Sequence, residues 1–150
     1  MEAMRQLTTL FLFALVPAFA QTSDEKDTVA VVQKTFNAMA ARDAAMLRST
    51  MLPDAHLFSV RADGPPAASP IEDFVTRITS SKEDLLERFT SPPTVSIRGR
   101  MAVVWGEYEF LRAGKFTHCG VDSITLFKTP DGWKIATLTF TAEPTGCKGH

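Results

Sequence analysis

Between residues 24 and 42 apolar side chains return every three or four positions. Val29, Val32, Phe36 and Met39 share one face, which predicts an amphipathic helix. Ser23 offers a capping oxygen, and Asp24, Glu25 and Asp27 put negative charge on the first turn, where the helix dipole favours it. Arg42-Asp43 interrupts the period, and Asp43 can cap a second, short helix through Ala44, Ala45, Met46 and Leu47, ended by Pro53 and Asp54. Residues 56–60 read as a first strand. Residues 61–70, with Gly64 and three prolines, read as a loop, after which Pro70 can open a helix that turns Phe74, Val75 and Ile78 inward. Residues 83–89 are ambiguous, because Leu85 and Leu86 suit a helix while Thr90-Ser91-Pro92-Pro93 follows at once; a strand or extended segment is expected.

From residue 94 the pattern is β. Residues 94–98, 101–112, 115–128 and 133–141 are rich in Val, Ile, Phe, Trp, Tyr and Thr and are joined by Gly99, Ala113-Gly114 and Thr129-Pro130-Asp131-Gly132, the residues of tight hairpins. Helices first and a long antiparallel meander after predict an α+β domain with helices packed on one face of a curved sheet.

Composition adds limits. The 150 residues are 45% hydrophobic and 22% charged, which excludes a disordered chain, and a net charge of −1 leaves no basic excess for nucleic acid. Residues 1–20 read as a signal peptide: Arg5 in a polar head, an apolar run over 7–16, and Ala18-Phe19-Ala20 before Gln21. The run is too short to span a bilayer, so no membrane association is expected after its removal. Cys119 and Cys147 both fall in residues 21–150, and in an exported (periplasmic or extracellular) chain an even count suggests a disulfide that pins the C-terminal tail to the strand of Cys119; two free thiols, one beside His118, are the alternative.

The order of a long helix, a short helix opening at Ala41-Arg42-Asp43, then Leu52-Pro53-Asp54-Ala55-His56-Leu57, and finally long strands ending in Asp131-Gly132-Trp133-Lys134-Ile135 resembles the SnoaL-like, nuclear transport factor 2-like superfamily. The resemblance runs over residues 24–140 and is closest to exported members and the lumazine-binding-like branch. It implies a cystatin-like fold, a cone of curved sheet around a pocket, and association as a homodimer through the outer sheet face. The superfamily contains isomerases, dehydratases and binding proteins, so the fold does not by itself supply a function. No Tyr/Asp oxyanion pair with an Asp base can be matched residue by residue; Tyr108 is the single phenol.

Candidate chemistry centres on His118 and Asp122, which share a face of one strand but are about 13 Å apart along it and need a neighbour from an adjacent strand. A hairpin tip at Ala113-Gly114 makes residues summing to about 227 face each other, placing Glu109 opposite His118 and Trp105 opposite Asp122. Glu109–His118 is then either a carboxylate–imidazole pair that orients a base or a cross-strand ion pair. Asp122, in an apolar strand, either finds Arg98 or Arg100 or lines a polar pocket with a raised pKa. His56, Trp105, Tyr108 and Phe116 are candidate ligand contacts, Trp105 and Tyr108 on opposite faces. His150 is terminal and carries no information. No spacing suggests a metal or a cofactor, and no phosphate loop or nucleophile elbow occurs. The expectation is a small-molecule-binding domain for a partly apolar or aromatic ligand; a cofactor-free lyase or isomerase using His118 and Asp122 with Glu109 or Tyr108, and a structural or protein-interaction module, are the rivals.

Overall fold

A computed structural model describes residues 21–147; the signal-peptide reading of residues 1–20 and His150 lie outside the described residues. The chain runs α1 (Ser23–Ala41), α2 (Ala44–Ser49), β1 (Met51–Arg61), β2 (Ala67–Pro70), α3 (Ile71–Thr79), β3 (Leu85–Phe89), β4 (Thr94–Arg98), β5 (Met101–Arg112), β6 (Lys115–Thr129) and β7 (Gly132–Ala142). The α+β reading holds. One seven-stranded sheet has the order β2-β1-β7-β6-β5-β3, with β4 pairing the other half of the same β5 edge. All pairs are antiparallel except β1 with β7.

The local signals explain most element ends. The cap of α1 is Thr22 rather than Ser23: its hydroxyl accepts from the Glu25 amide while the Glu25 carboxylate accepts from the Thr22 amide, a reciprocal box that Ser23 cannot make one residue later. Asp24 is then free for a longer-range task, accepting from Lys128 Nζ at 2.6 Å and Trp133 Nε1 at 3.2 Å and so tying the first helical turn to the β6–β7 hairpin. Asp43 caps α2 as expected, accepting from the Met46 amide at 2.9 Å. Two expectations need correction. The first strand begins at Met51, since Met51 pairs Ile135 before an irregularity and regular pairing resumes at His56. The Pro-rich 61–70 segment ends in the short edge strand β2, where Ala67, Ala68 and Ser69 pair back onto β1 and Pro70 costs only an edge amide.

Helices α1 and α3 cover the concave face. Val32, Phe36 and Met39 of α1 and Phe74, Val75 and Ile78 of α3 are buried against Leu57, Val104, Ile124, Leu126, Ile135 and Leu138 of the sheet. Phe36 meets Phe89 edge to face with ring centroids 5.2 Å apart. The Ala113-Gly114 tip has φ of 50° and 72°, the left-handed pair of a two-residue hairpin.

Cys119 and Cys147 form a disulfide across 28 residues. Cys119 and Glu143 also exchange backbone hydrogen bonds at 3.1 and 2.8 Å, so the tail after β7 is held twice against β6. Closing that loop is worth about 3 kcal/mol in the chain-entropy model. Replacing both cysteines with serine should lower the unfolding free energy by about that amount, read as a shift in the urea midpoint at unchanged slope; an unmoved midpoint would show that the tail contributes nothing.

Candidate functional site

The concave face is laid out in rungs across strands. One inward rung is Glu87–Phe110–His118 from β3, β5 and β6; the next is Phe89–Tyr108–Gly120; the next pairs Gly106 and Asp122 with Phe140 of β7. Above these rungs, under α3 and the β1–β2 hairpin, lies a cavity of about 660 Å³. Its wall is mostly apolar, from residues such as Leu57, Phe74, Phe110 and Phe140, and Pro144 of the disulfide-held tail completes one side.

His118 lines the cavity with its ring stacked on Phe110, centroids 5.1 Å apart, and edge-on to Tyr108 at 5.8 Å. Burial, then the positive charges of Arg61 and Arg112, holds its pKa below the ordinary histidine value, so the imidazole is neutral at pH 7. Tyr108 is buried and also lines the cavity; its hydroxyl donates to the Thr141 carbonyl at 2.7 Å. Burial, reinforced by Glu87 and Asp122, pushes that phenol upward. Asp122 is fully buried, and neither carboxylate oxygen has a hydrogen-bond partner among the described residues. Burial first and the charge of Glu87 second raise its pKa well above the ordinary value, so the side chain is held protonated. Asp122 sits beneath the cavity floor rather than in its wall, and neither Arg98 nor Arg100 reaches it: Arg98 is exposed on β4, and Arg100 donates to the Lys128 carbonyl.

The sequence reading missed Glu87. It lines the cavity one rung from Tyr108 and directly in line with His118, and burial pushes its carboxyl up to about 8. The signal was present in the alternation Leu85, Glu87, Phe89, which puts all three on one side of a strand.

The structure does not bring the other candidates to the site. The predicted sum of 227 holds at the hairpin tip, where Leu111 faces Phe116, but Thr117 is an extra residue and beyond it the sum is 228. Phe110, not Glu109, therefore faces His118, and Gly106, not Trp105, faces Asp122. Glu109 turns to the outer face and pairs with Arg88. Trp105 lies on the same convex side, 46% exposed. Phe116 sits at the rung of Leu111 and is not part of the cavity wall. His56 is exposed midway along β1, its Nδ1 donating to the Asp54 carbonyl at 2.9 Å.

Solved structures with this architecture belong to the nuclear transport factor 2-like class. A superfamily protein from Salmonella enterica serovar Typhimurium matches with TM-score 0.68 at 15% identity over 85% of this chain and 96% of that one. A "putative dehydratase" of the same family from Streptomyces avermitilis matches with TM-score 0.67 at 21% identity over 80% and 96%. A cystatin-like-fold protein from Novosphingobium aromaticivorans matches with TM-score 0.65 at 16% identity over 83% and 84%. These likenesses establish the fold. The family is given by a sequence model, described as "Putative lumazine-binding", that matches residues 23–141: the chain belongs to that family. The comparison with curated proteins finds no match.

Proposed function

We propose that the protein is an exported binding domain for a small, partly apolar molecule held in the cone. The observation that carries this reading is the cavity itself: about 660 Å³ with a mostly apolar wall and a few convergent polar groups is the size and character of a small-molecule site. The leader-like residues 1–20 and the disulfide support export, since such a bond persists in oxidising compartments. Native mass spectrometry of protein purified from its own host tests the binding role. The expected result is an added mass that is released on denaturation; a bare protein that also fails to take up a neutral apolar fluorophore would overturn it.

A second reading, a cofactor-free lyase or isomerase, is favoured by one observation: a neutral imidazole and a neutral carboxyl line the same wall on one rung. In a dehydration His118 would take a proton from carbon while Glu87 gave one to the departing hydroxyl, which leaves as water. Asp122, outside the cavity wall, takes no part in that proton transfer. Activity would then peak between the depressed His118 value and the Glu87 value of about 8. A profile flat from pH 5 to 9, or full activity in His118→Gln, excludes this chemistry.

The convex face carries Leu86, Met101, Trp105 and Phe127, each 40–48% exposed, and Met101 and Phe127 are direct cross-strand neighbours. That apolar face supports a homodimer through the outer sheet. Trp105→Glu should give a monomer by light scattering at a concentration where the parent is a dimer; a parent that is already monomeric removes the reading.

A further inference from the structure

Arginines from three separate elements meet the cavity: Arg61 at the end of β1, Arg77 on α3 and Arg112 at the end of β5. All three are exposed at their solvent side, so they stand at the mouth rather than in the floor. That Arg61 and Arg112 converge is visible at His118, whose imidazole feels both charges. The carboxylates that could cancel them are few. Asp63 is the one lining acid outside the buried region, and Glu87, deeper in the wall, is largely uncharged at pH 7 because burial raises it to about 8. Glu83 approaches Arg112 at 3.4 Å, but both side chains are more than half exposed and such a pair is readily exchanged for a better partner. Arg77 lies over the Phe74 ring at 5.7 Å, its planar group resting on the apolar wall with its donors free to turn to the mouth. Three cationic groups around one opening, with Asp63 the single lining acid beside them, give that opening an attraction for anions.

We propose that the ligand is an amphipathic anion, its apolar body in the cone and its carboxylate or similar anionic group at the mouth between Arg61, Arg77 and Arg112. This rests on the cavity being a binding site and names the class of molecule that fills it. Guanidinium forks match a carboxylate in two-point fashion, and the low-dielectric wall behind them strengthens the attraction. A neutral ligand of the same shape would gain none of that attraction.

Two probes of equal shape test this, naphthoate and naphthamide, titrated against the full chain at low ionic strength by fluorescence. Naphthoate is expected to bind about tenfold more tightly, with the gap narrowing in salt. Arg61→Gln with Arg112→Gln should narrow the gap several-fold, chiefly by weakening naphthoate, with Arg77 left to hold the remainder. Asp63→Asn should widen it, a gain that general damage to the fold would not produce. If both probes bind equally, or naphthamide binds better, the anion assignment is wrong and the cavity reading stands. If neither binds, the anion assignment is wrong, and native mass spectrometry of the host-purified protein decides the cavity reading separately.

Discussion

Between pH 6.5 and pH 8 the protein is expected to lose stability with each rise in pH, and Asp122→Asn is expected to be the more stable form at pH 8. The cause is a pair of acids, Asp122 fully buried and Glu87 half-buried in the cavity wall. In the unfolded chain Asp and Glu release their protons near pH 4. In the folded chain Glu87 holds its proton up to about pH 8, and Asp122, without a hydrogen-bond partner among the described residues, is raised well above its ordinary value by burial and by Glu87. Folding above pH 4 therefore takes up protons, and each proton lowers stability by about 1.4 kcal/mol per pH unit until the folded value is reached. His118 acts in the opposite sense: its folded value is depressed, so below its ordinary 6.5 the unfolded chain binds the extra proton and stability rises with pH there. The two trends partly cancel just below pH 6.5, and the acids alone act from 6.5 to 8. Asparagine keeps the shape of Asp122 and removes its charge at every pH, although its amide is equally unpaired. The two stability curves should therefore cross: the variant equal or slightly weaker at pH 5, and the stronger of the two at pH 8. Urea melts at four pH values read this directly. Parallel curves would mean that Asp122 is solvated or paired in solution.

Two desolvated acids that weaken the fold at neutral pH are difficult to justify as packing, since Leu at either position would cost nothing electrostatically. Their place explains them. Glu87 is in the cavity wall and Asp122 just beneath it, on the rungs either side of Tyr108. A neutral carboxyl can donate a hydrogen bond to a ligand, which a carboxylate cannot.

How far the sequence revealed this site follows from which forces are local. The caps at Asp43 and Pro70, the strands after residue 94 and the left-handed Ala113-Gly114 tip depend on near neighbours, and the periodic pattern located them. The cysteine pair was legible because redox chemistry restricts what an even pair does. Register was not. A single extra residue, Thr117, exchanges Glu109 for Phe110 opposite His118, and bulges have no firm signature in side-chain alternation. Edge strand β2 was hidden because its pairing partner, not its Ala67-Ala68-Ser69 composition, makes it a strand. The arginines were invisible for a further reason. Arg61 and Arg112 at strand ends look like ordinary solubilising charges, and only the assembled cone shows that both ends surround one opening.

Gly120→Ala is the substitution expected to do most damage for its size. Gly120 faces Tyr108 on β5 and lies against the Thr141 backbone of β7. A Cβ there would stand 2.7 Å from Thr141 Oγ1 and 2.8 Å from its carbonyl carbon, with the carbonyl oxygen nearer still. Backbone on one side and a paired strand on the other leave no flexible group to move aside. Thr141 is also a double anchor: its carbonyl accepts from the buried Tyr108 hydroxyl at 2.7 Å, and its Oγ1 accepts from the Val121 amide at 2.9 Å. Displacing it leaves the phenol unpaired, which adds about 1–3 kcal/mol to the strain. The total expected loss is about 3 kcal/mol or more, against about 1–2 kcal/mol for Tyr108→Phe alone. The mechanism predicts coupling as well as size. Once Gly120→Ala has moved the Thr141 carbonyl, removing the Tyr108 hydroxyl should cost almost nothing further, so the double variant should melt close to the Gly120→Ala single. Additive losses would show that the methyl group acts elsewhere. Because the Tyr108 ring also supports His118 edge-on, the same substitution should loosen the cavity wall and weaken naphthamide binding in whatever fraction remains folded.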